Sequence, residues 1–265
     1  MKRKLTVLAF VLLFIISCST VPLTGRKQLN LLPESQLQQM SLAEYKSFLT
    51  ESKVVNNNEQ AKMVKRVGEK LAASATEYLR KTGNSGRVAG YNWEFNLVED
   101  KLVNAWCMPG GKVVVYTGIL PVTKTEAGLA TVMSHEISHA IAQHGNERMS
   151  QQMAAQVGGV ALDIALMNQP EQTRSLFLTS YAIGSTVGLI LPFSRKHETE
   201  ADKMGMAFMA MAGYDPGEAI YFWKRMAALG GEKPPQFLST HPSDETRVAN
   251  LRKFLPEAMK LYKAK

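Results

Sequence analysis

His135-Glu136-Ile137-Ser138-His139 is an H-E-x-x-H stretch inside an apolar run. Each helical residue advances about 100°, so two histidines four apart lie about 40° from one another on one face. That spacing suits two imidazoles gripping one Zn2+, with the Glu136 carboxylate beside them to take a proton from water. The flanks read as helix. Thr123 and Glu126 have the Thr-x-x-Glu spacing of a capping box, and Leu129, Val132, Met133, Ile137, Ala140 and Ile141 recur at intervals of three and four. The competing reading is a pair of hydrogen-bonded core histidines. It leaves the intervening glutamate unexplained.

A zinc site needs a third protein ligand and an open position for water. His144 is five residues beyond His139, so on a helix it points about 140° away. It reads better as a residue near a helix C-terminus, where an imidazolium suits the dipole. The segment Arg195-Lys196-His197-Glu198-Thr199-Glu200-Ala201-Asp202 offers more. Glu198 and Asp202 are four apart and share a helix face. Glu198 suits a ligand, and Asp202 suits an acceptor for the second N–H of a ligand histidine. Glu200 lies about 200° from Glu198 and faces elsewhere. His197 as the ligand, or a solvated charged helix start, are the alternatives.

At these residues the chain resembles a known family. H-E-x-x-H followed by Ser194-Arg195, Glu198 and Ala201-Asp202 resembles the CAAX-prenyl-protease and HtpX-like zinc metallopeptidases. The resemblance runs from about Val21 to Leu255. It is nearest to the soluble lipoprotein or periplasmic branch, which also contains the mitochondrial Oma-type proteases. Thr24-Gly25-Arg26-Lys27-Gln28-Leu29, Asn104-Ala105-Trp106-Cys107-Met108-Pro109-Gly110-Gly111, and Thr240-His241-Pro242 with Arg247 resemble three further segments of that branch. Trp106-Cys107 depart from the small or Phe-like residues common there. The resemblance implies that Asn104 holds the substrate backbone. It also implies that His241 is a second donor to the reacting carbonyl, and that Arg247 supports it or binds substrate. The plainer readings are a structural Asn at a strand end and a His-Pro turn with Arg247 in an ion pair.

Length and composition fit one enzyme domain. The chain has 265 residues, of which 45% are hydrophobic, enough for a sizeable core. The net charge of +8 includes Lys2, Arg3 and Lys4 of a removable segment. The remaining positive residues are scattered, without the basic patch interleaved with aromatics that nucleic-acid binding needs, so no nucleic-acid partner is expected. Met1-Lys-Arg-Lys is a positive n-region, and Leu5 to Ile16 is an apolar h-region short for a spanning helix. Ile15-Ile16-Ser17-Cys18 resembles the lipobox of a bacterial lipoprotein. Cleavage before Cys18 would leave a lipidated thiol, and Ser19 after it suggests outer-membrane sorting, with the domain expected to face the periplasm. An ordinary signal peptide or an uncleaved anchor is the alternative. Of the two cysteines, Cys107 is then left alone, and no intrachain disulfide is expected.

The expected organisation is a leader at 1–17, a tether and helix at 18–57, and a metallopeptidase domain at 58–265. The fold class is α+β, mostly helical, zincin-like, with a small sheet whose edge strand flanks the H-E-x-x-H helix. Asn57 to Lys81 has helical spacing, and Trp93, Phe95 and Leu97 alternate as in a strand. Val103–Cys107 and Val113–Tyr116 read as strands joined by a Pro109-Gly110-Gly111 turn. Gly213 ends one helix, and Pro216 starts the next. Ser175 to Ser194 carries no charge and is long enough to span a membrane. A single span would separate Glu198 from His135 and His139, so a buried helix near the metal is expected. The function expected is a membrane-anchored zinc endopeptidase, one Zn2+ per chain, acting on misfolded or unassembled envelope polypeptides. A non-proteolytic chaperone on the same scaffold and a cell-wall amidase remain as rivals.

Overall fold

The computed structural model describes residues 18–186, 191–229, 241 and 245–262. The leader expected at 1–17 and residues 187–190 of the uncharged stretch lie outside them. In chain order the elements are β1 (Cys18–Thr20), β2 (Lys27–Leu29), α1 (Glu34–Glu51), β3 (Val54–Val55), α2 (Glu59–Lys81), β4 (Glu94–Val98), β5 (Ala105–Met108), β6 (Lys112–Tyr116), α3 (Leu120–Thr123), α4 (Glu126–Ile141), α5 (His144–Ala165), α6 (Glu171–Ser185), α7 (Leu191–Met211), α8 (Glu218–Ala228) and α9 (Glu245–Met259). Helix dominates a small sheet, as expected. The chain divides into two units, residues 1–33 with 143–197, and residues 34–142 with 198–265.

The second unit holds the sheet, in the order β3-β4-β6-β5, with β4 parallel to β6 and the other pairs antiparallel. β5 is therefore an edge strand, as the sequence predicts. Val113, Val114 and Val115 are all buried, so both faces of β6 are covered. On one face Tyr45 and Phe48 of α1 pack with Val98, Val114, Trp106 and Tyr116. On the other, α2 lies so close that a Cβ on Gly68 would stand 2.2 Å from the Phe95 ring. α2 starts where Asn58 accepts from the Ala61 N–H. Its stripe of Val64, Val67, Leu71, Ala75 and Leu79 is buried.

α4 is buried along its length, and its cap differs from the expected one. Thr125, not Thr123, accepts the Gly128 N–H at 3.0 Å, while the Thr123 hydroxyl bonds back to Leu120 within α3. An extended residue is needed at the cap, and Thr125 has that backbone (φ −130°, ψ 166°). Gly205 of α7 lets that helix approach α4, since a Cβ there would lie 3.1 Å from the His135 nitrogen. α7 ends at Met211 and Gly213 turns with φ 87°, as the sequence predicts. α8 starts at Glu218, two residues after the expected Pro216, because the Asp215 side chain first caps the Gly217 N–H.

The first unit contains the antiparallel β1–β2 pair and the α5–α6 hairpin. Two expectations fail in it. His144 opens α5 instead of lying near a helix C-terminus, because α4 ends at Ile141 and Gln143 turns the chain with φ 58°. The described part of Ser175–Ser194 in α6 has no buried residue, against the expected buried helix. No helix among the described residues is long and apolar enough to cross a membrane.

Candidate metal centre

Three segments of the second unit bring their donors together. His135 and His139 share one face of α4, and their Nε2 atoms lie 3.0 Å apart. Glu198 Oε2 is 3.3 Å from His135 Nε2, and Oε1 is 3.4 Å from His139 Nε2. His241 Nδ1 lies 2.9 Å from Glu198 Oε2 and 3.2 Å from His135 Nε2. One ligand atom from each of the four residues falls within a 4.8 Å cluster. Nitrogen and oxygen donors at about 2.0–2.2 Å from a tetrahedral zinc stand about 3.3 Å from one another. The observed separations, 2.9–3.4 Å, bracket that edge length, with Glu198 offering Oε2 to His135 and His241 and Oε1 to His139. His144 and His197, the alternative ligands, are not among these donors, and they stack on each other with ring centroids 4.3 Å apart.

The electrostatics fit a cation as well. Burial pushes the Glu198 carboxyl up, but the imidazoles of His139, His135 and His241 outweigh it and hold the group far below its ordinary range. Burial pulls His135 down, yet Asp202 and Glu198 lift it to about 9. The pocket thus favours positive charge among its nitrogens, which a divalent ion supplies. Asp202 Oδ1 sits 2.9 Å from His135 Nδ1, the position of an acceptor that fixes a ligand tautomer.

Glu136 points into the same region, buried and outside the donor set. Its Oε1 makes no hydrogen bond among the described residues, and the nearest His241 nitrogen, Nε2, is 3.5 Å away. Burial raises its pKa against the pull of His241 and His135, which suits a group that must accept a proton. Cys107 stays out of the cluster. Burial pushes its thiol up, and the Glu136 charge adds to this. Asn104 precedes β5, its Oδ1 accepting the Ala105 N–H and its carbonyl accepting the Tyr116 N–H.

Arg247, expected at His241 or the substrate, lies beneath the ligands. Its Nη2 and Nε bind the two Asp202 oxygens at 2.7 and 2.8 Å, and Nη1 is 3.3 Å from Glu198 Oε2. The guanidinium lies 3.2 Å over the Trp223 ring, which also stands edge-on to His135 at 5.7 Å. Trp223 is the site residue that sequence reading misses. Nothing in Phe222-Trp223-Met226 separates it from an ordinary core stripe of α8. His241 is thus a fourth possible donor, beyond the three that a zinc site with an open position for water would use.

The model of peptidase family M48 matches residues 58–255. The mitochondrial metalloendopeptidase OMA1 of Schizosaccharomyces pombe is 42% identical over 63% of this chain and 48% of its own length. The human mitochondrial metalloendopeptidase OMA1 is 30% identical over 96% of this chain and 49% of its own. The beta-barrel assembly-enhancing protease of Escherichia coli is 31% identical over 60% of this chain and 34% of its own. The chain thus spans half or less of the length of these relatives.

Proposed function

The chain belongs to peptidase family M48, and we propose that it is a zinc-dependent endopeptidase of the bacterial envelope, anchored through a lipidated Cys18 on an outer membrane and facing the periplasm. The carrying observation is the convergence of His135, His139 and Glu198 with a buried Glu136 carboxylate beside them. Those three residues would hold the zinc. When bound, zinc acidifies water and polarises a carbonyl. Glu136 accepts the proton of the attacking water and passes it to the leaving amine. His241, once off the donor cluster, donates to the oxygen on which charge develops. Asp202 keeps His135 in the ligand tautomer, and Arg247 keeps Asp202 and Glu198 in place.

Edge strand β5 supports a polypeptide substrate, because an extended segment adds to it by main-chain hydrogen bonds with Asn104 at its head. Unfolded or unassembled envelope proteins offer such segments. The name of the Escherichia coli relative, which refers to β-barrel assembly, supports that substrate class.

The test is cleavage of an unfolded model protein, reduced casein, by the full chain and by Glu136→Gln, with zinc measured in both. Zinc in both and at least about 100-fold faster cleavage by the unsubstituted chain is expected. Zinc in both and cleavage in neither would replace the proteolytic reading with a binding role. Folded chain that takes up no zinc would overturn the proposal.

A further inference from the structure

Strand β4 has an edge that β3 covers only in part. The Glu94 N–H bonds to the Gly111 carbonyl at the head of β6 at 2.9 Å, so Glu94, Asn96 and Val98 turn their main-chain groups toward β6. Phe95, Leu97 and Glu99 turn theirs the other way. On that side the Glu99 N–H bonds to the Lys53 carbonyl at 2.9 Å, and Leu97 stands opposite Val55. β3 ends at Val55, and the chain leaves it for the α2 cap at Asn58. Phe95, and Trp93 just before the strand, continue the outward series past that end. Among the described residues no main-chain group pairs with theirs on that side.

A cavity of about 680 Å3 lies against this stretch, with Val55, Asn56, Ala72, Ala73, Trp93 and Phe95 among its walls. Cavities that hold ligands run from about 300 to 1,000 Å3. The Trp93 ring is stacked on Phe95 with centroids 6.2 Å apart, and α2 contributes the small side chains of Ala72 and Ala73. Lys65 and Glu69, both exposed on α2, add charges of both signs.

The open edge says what kind of molecule the cavity takes. A small molecule has no use for main-chain donors and acceptors repeated every second residue. An extended polypeptide does, because an added strand bonds to alternate residues of an edge and lays alternate side chains on one face. Residues two apart on a strand stand about 6.6–6.8 Å apart, which is the repeat of the added strand as well. Charges of both signs favour neither acidic nor basic segments. Recognition then falls to the main chain, which every unfolded segment carries.

We propose that this edge and cavity form a second polypeptide site, where an extended segment of another chain continues the line of β3 and sets side chains against Trp93, Phe95 and α2. The sheet order β3-β4-β6-β5 puts it on the opposite margin from β5. An unfolded chain held here has a raised local concentration at the other edge. Binding at this site stands apart from the zinc chemistry; only its service to cleavage rests on the endopeptidase reading above.

The test follows hydrogen exchange at single amides in the full chain carrying Glu136→Gln, with and without saturating reduced casein, which that variant leaves intact. The Trp93 and Phe95 amides should exchange freely in the chain alone and slow at least about tenfold with casein. Ala73→Trp fills the cavity from an exposed helix position and should abolish the slowing with an unchanged thermal transition, while Ala73→Ser keeps it. The Cys107 amide reports the β5 edge. Slowing at Cys107 alone would overturn the second site and leave the β5 reading standing, and slowing at neither edge would overturn the second site too. Slowing at Trp93 and Phe95 alone would support the second site and count against β5 as the substrate strand. Amides already slow without casein would show the edge covered, by this chain or by a second copy, and overturn the proposal. Slowing that persists in folded Ala73→Trp would separate the edge from the cavity and overturn it as well.

Discussion

Replacing Asp202 by asparagine removes one charge while keeping the side-chain shape, and the site has two uses for that charge. Oδ1 faces His135 Nδ1 at 2.9 Å, and both oxygens accept from Arg247 at 2.7 and 2.8 Å. Asparagine offers one carbonyl oxygen and one NH2, so at least one of these donors would face another donor. Breaking a buried ion pair from one side costs about 3–5 kcal/mol. Glu198 remains 3.3 Å from the guanidinium, which favours the lower end, about 3 kcal/mol. At about 2–4 °C per kcal/mol for a chain near this size, the zinc-free midpoint should fall by about 6–12 °C. Loss of the acceptor behind a ligand histidine lowers metal affinity by about 10–100-fold, or about 1.4–2.8 kcal/mol. Thermal unfolding of chelator-treated chain reads the first effect, and competition with a chromophoric chelator reads the second. Adding Arg247→Met removes the stranded charge and should restore part of the midpoint without restoring zinc affinity, because His135 still lacks its acceptor. A Asp202→Asn variant with zinc affinity within about twofold of the parent and a midpoint within about 2 °C would refute the argument.

Three further outcomes are expected. His241→Ala should retain zinc on His135, His139 and Glu198 while casein turnover falls about 100-fold; faster turnover would instead show that the ring mainly blocks the site. Gly68→Ala should destabilise the chain by about 1–3 kcal/mol, since the added methyl meets the Phe95 ring, and an unchanged denaturation midpoint would contradict this packing. Burial raises Glu147, but His197 and Arg26 outweigh it and lower its pKa below the ordinary 4.5. Its contribution to stability is therefore fully present above about pH 4.5 and lost as pH falls through the lowered value. Arg26→Gln should weaken that acid dependence in a series of thermal midpoints, and superimposable curves would remove Glu147 as its source.

What the sequence made legible follows from the range of the interactions involved. The α4 face, the Glu198–Asp202 pair and the buried stripe of α2 depend on residues three or four apart, where helical geometry acts directly. Strands β4, β5 and β6 were also legible, to within a residue or two, from alternation and the Pro109-Gly110-Gly111 turn. At the α4 cap Thr123 and Thr125 both offer a hydroxyl near the right spacing, and the extended backbone of Thr125 chooses between them. The α6 reading failed for a different reason. Absence of charge fixes what a segment tolerates, not what covers it, and a chain with an apolar surface partner carries the same pattern as one with a buried core.

The centre itself joins both kinds of information. His135 and Glu198 are 63 residues apart in the chain, and Arg247 lies 49 beyond Glu198. No periodicity connects them; the close pass of Gly205 over the backbone of His135 helps by letting α7 settle onto α4. Once that approach is made, Asp202 meets the far nitrogen of His135 and turns the near one toward Glu198. Arg247 then has two carboxylates to satisfy and one face left, and Trp223 fills it. The ion pairs with Asp202 and Glu198 account for the burial of the Arg247 guanidinium to 6% exposure. Asp202 pairs with the arginine, and in the proposed function Glu198 joins His135 and His139 as a metal ligand.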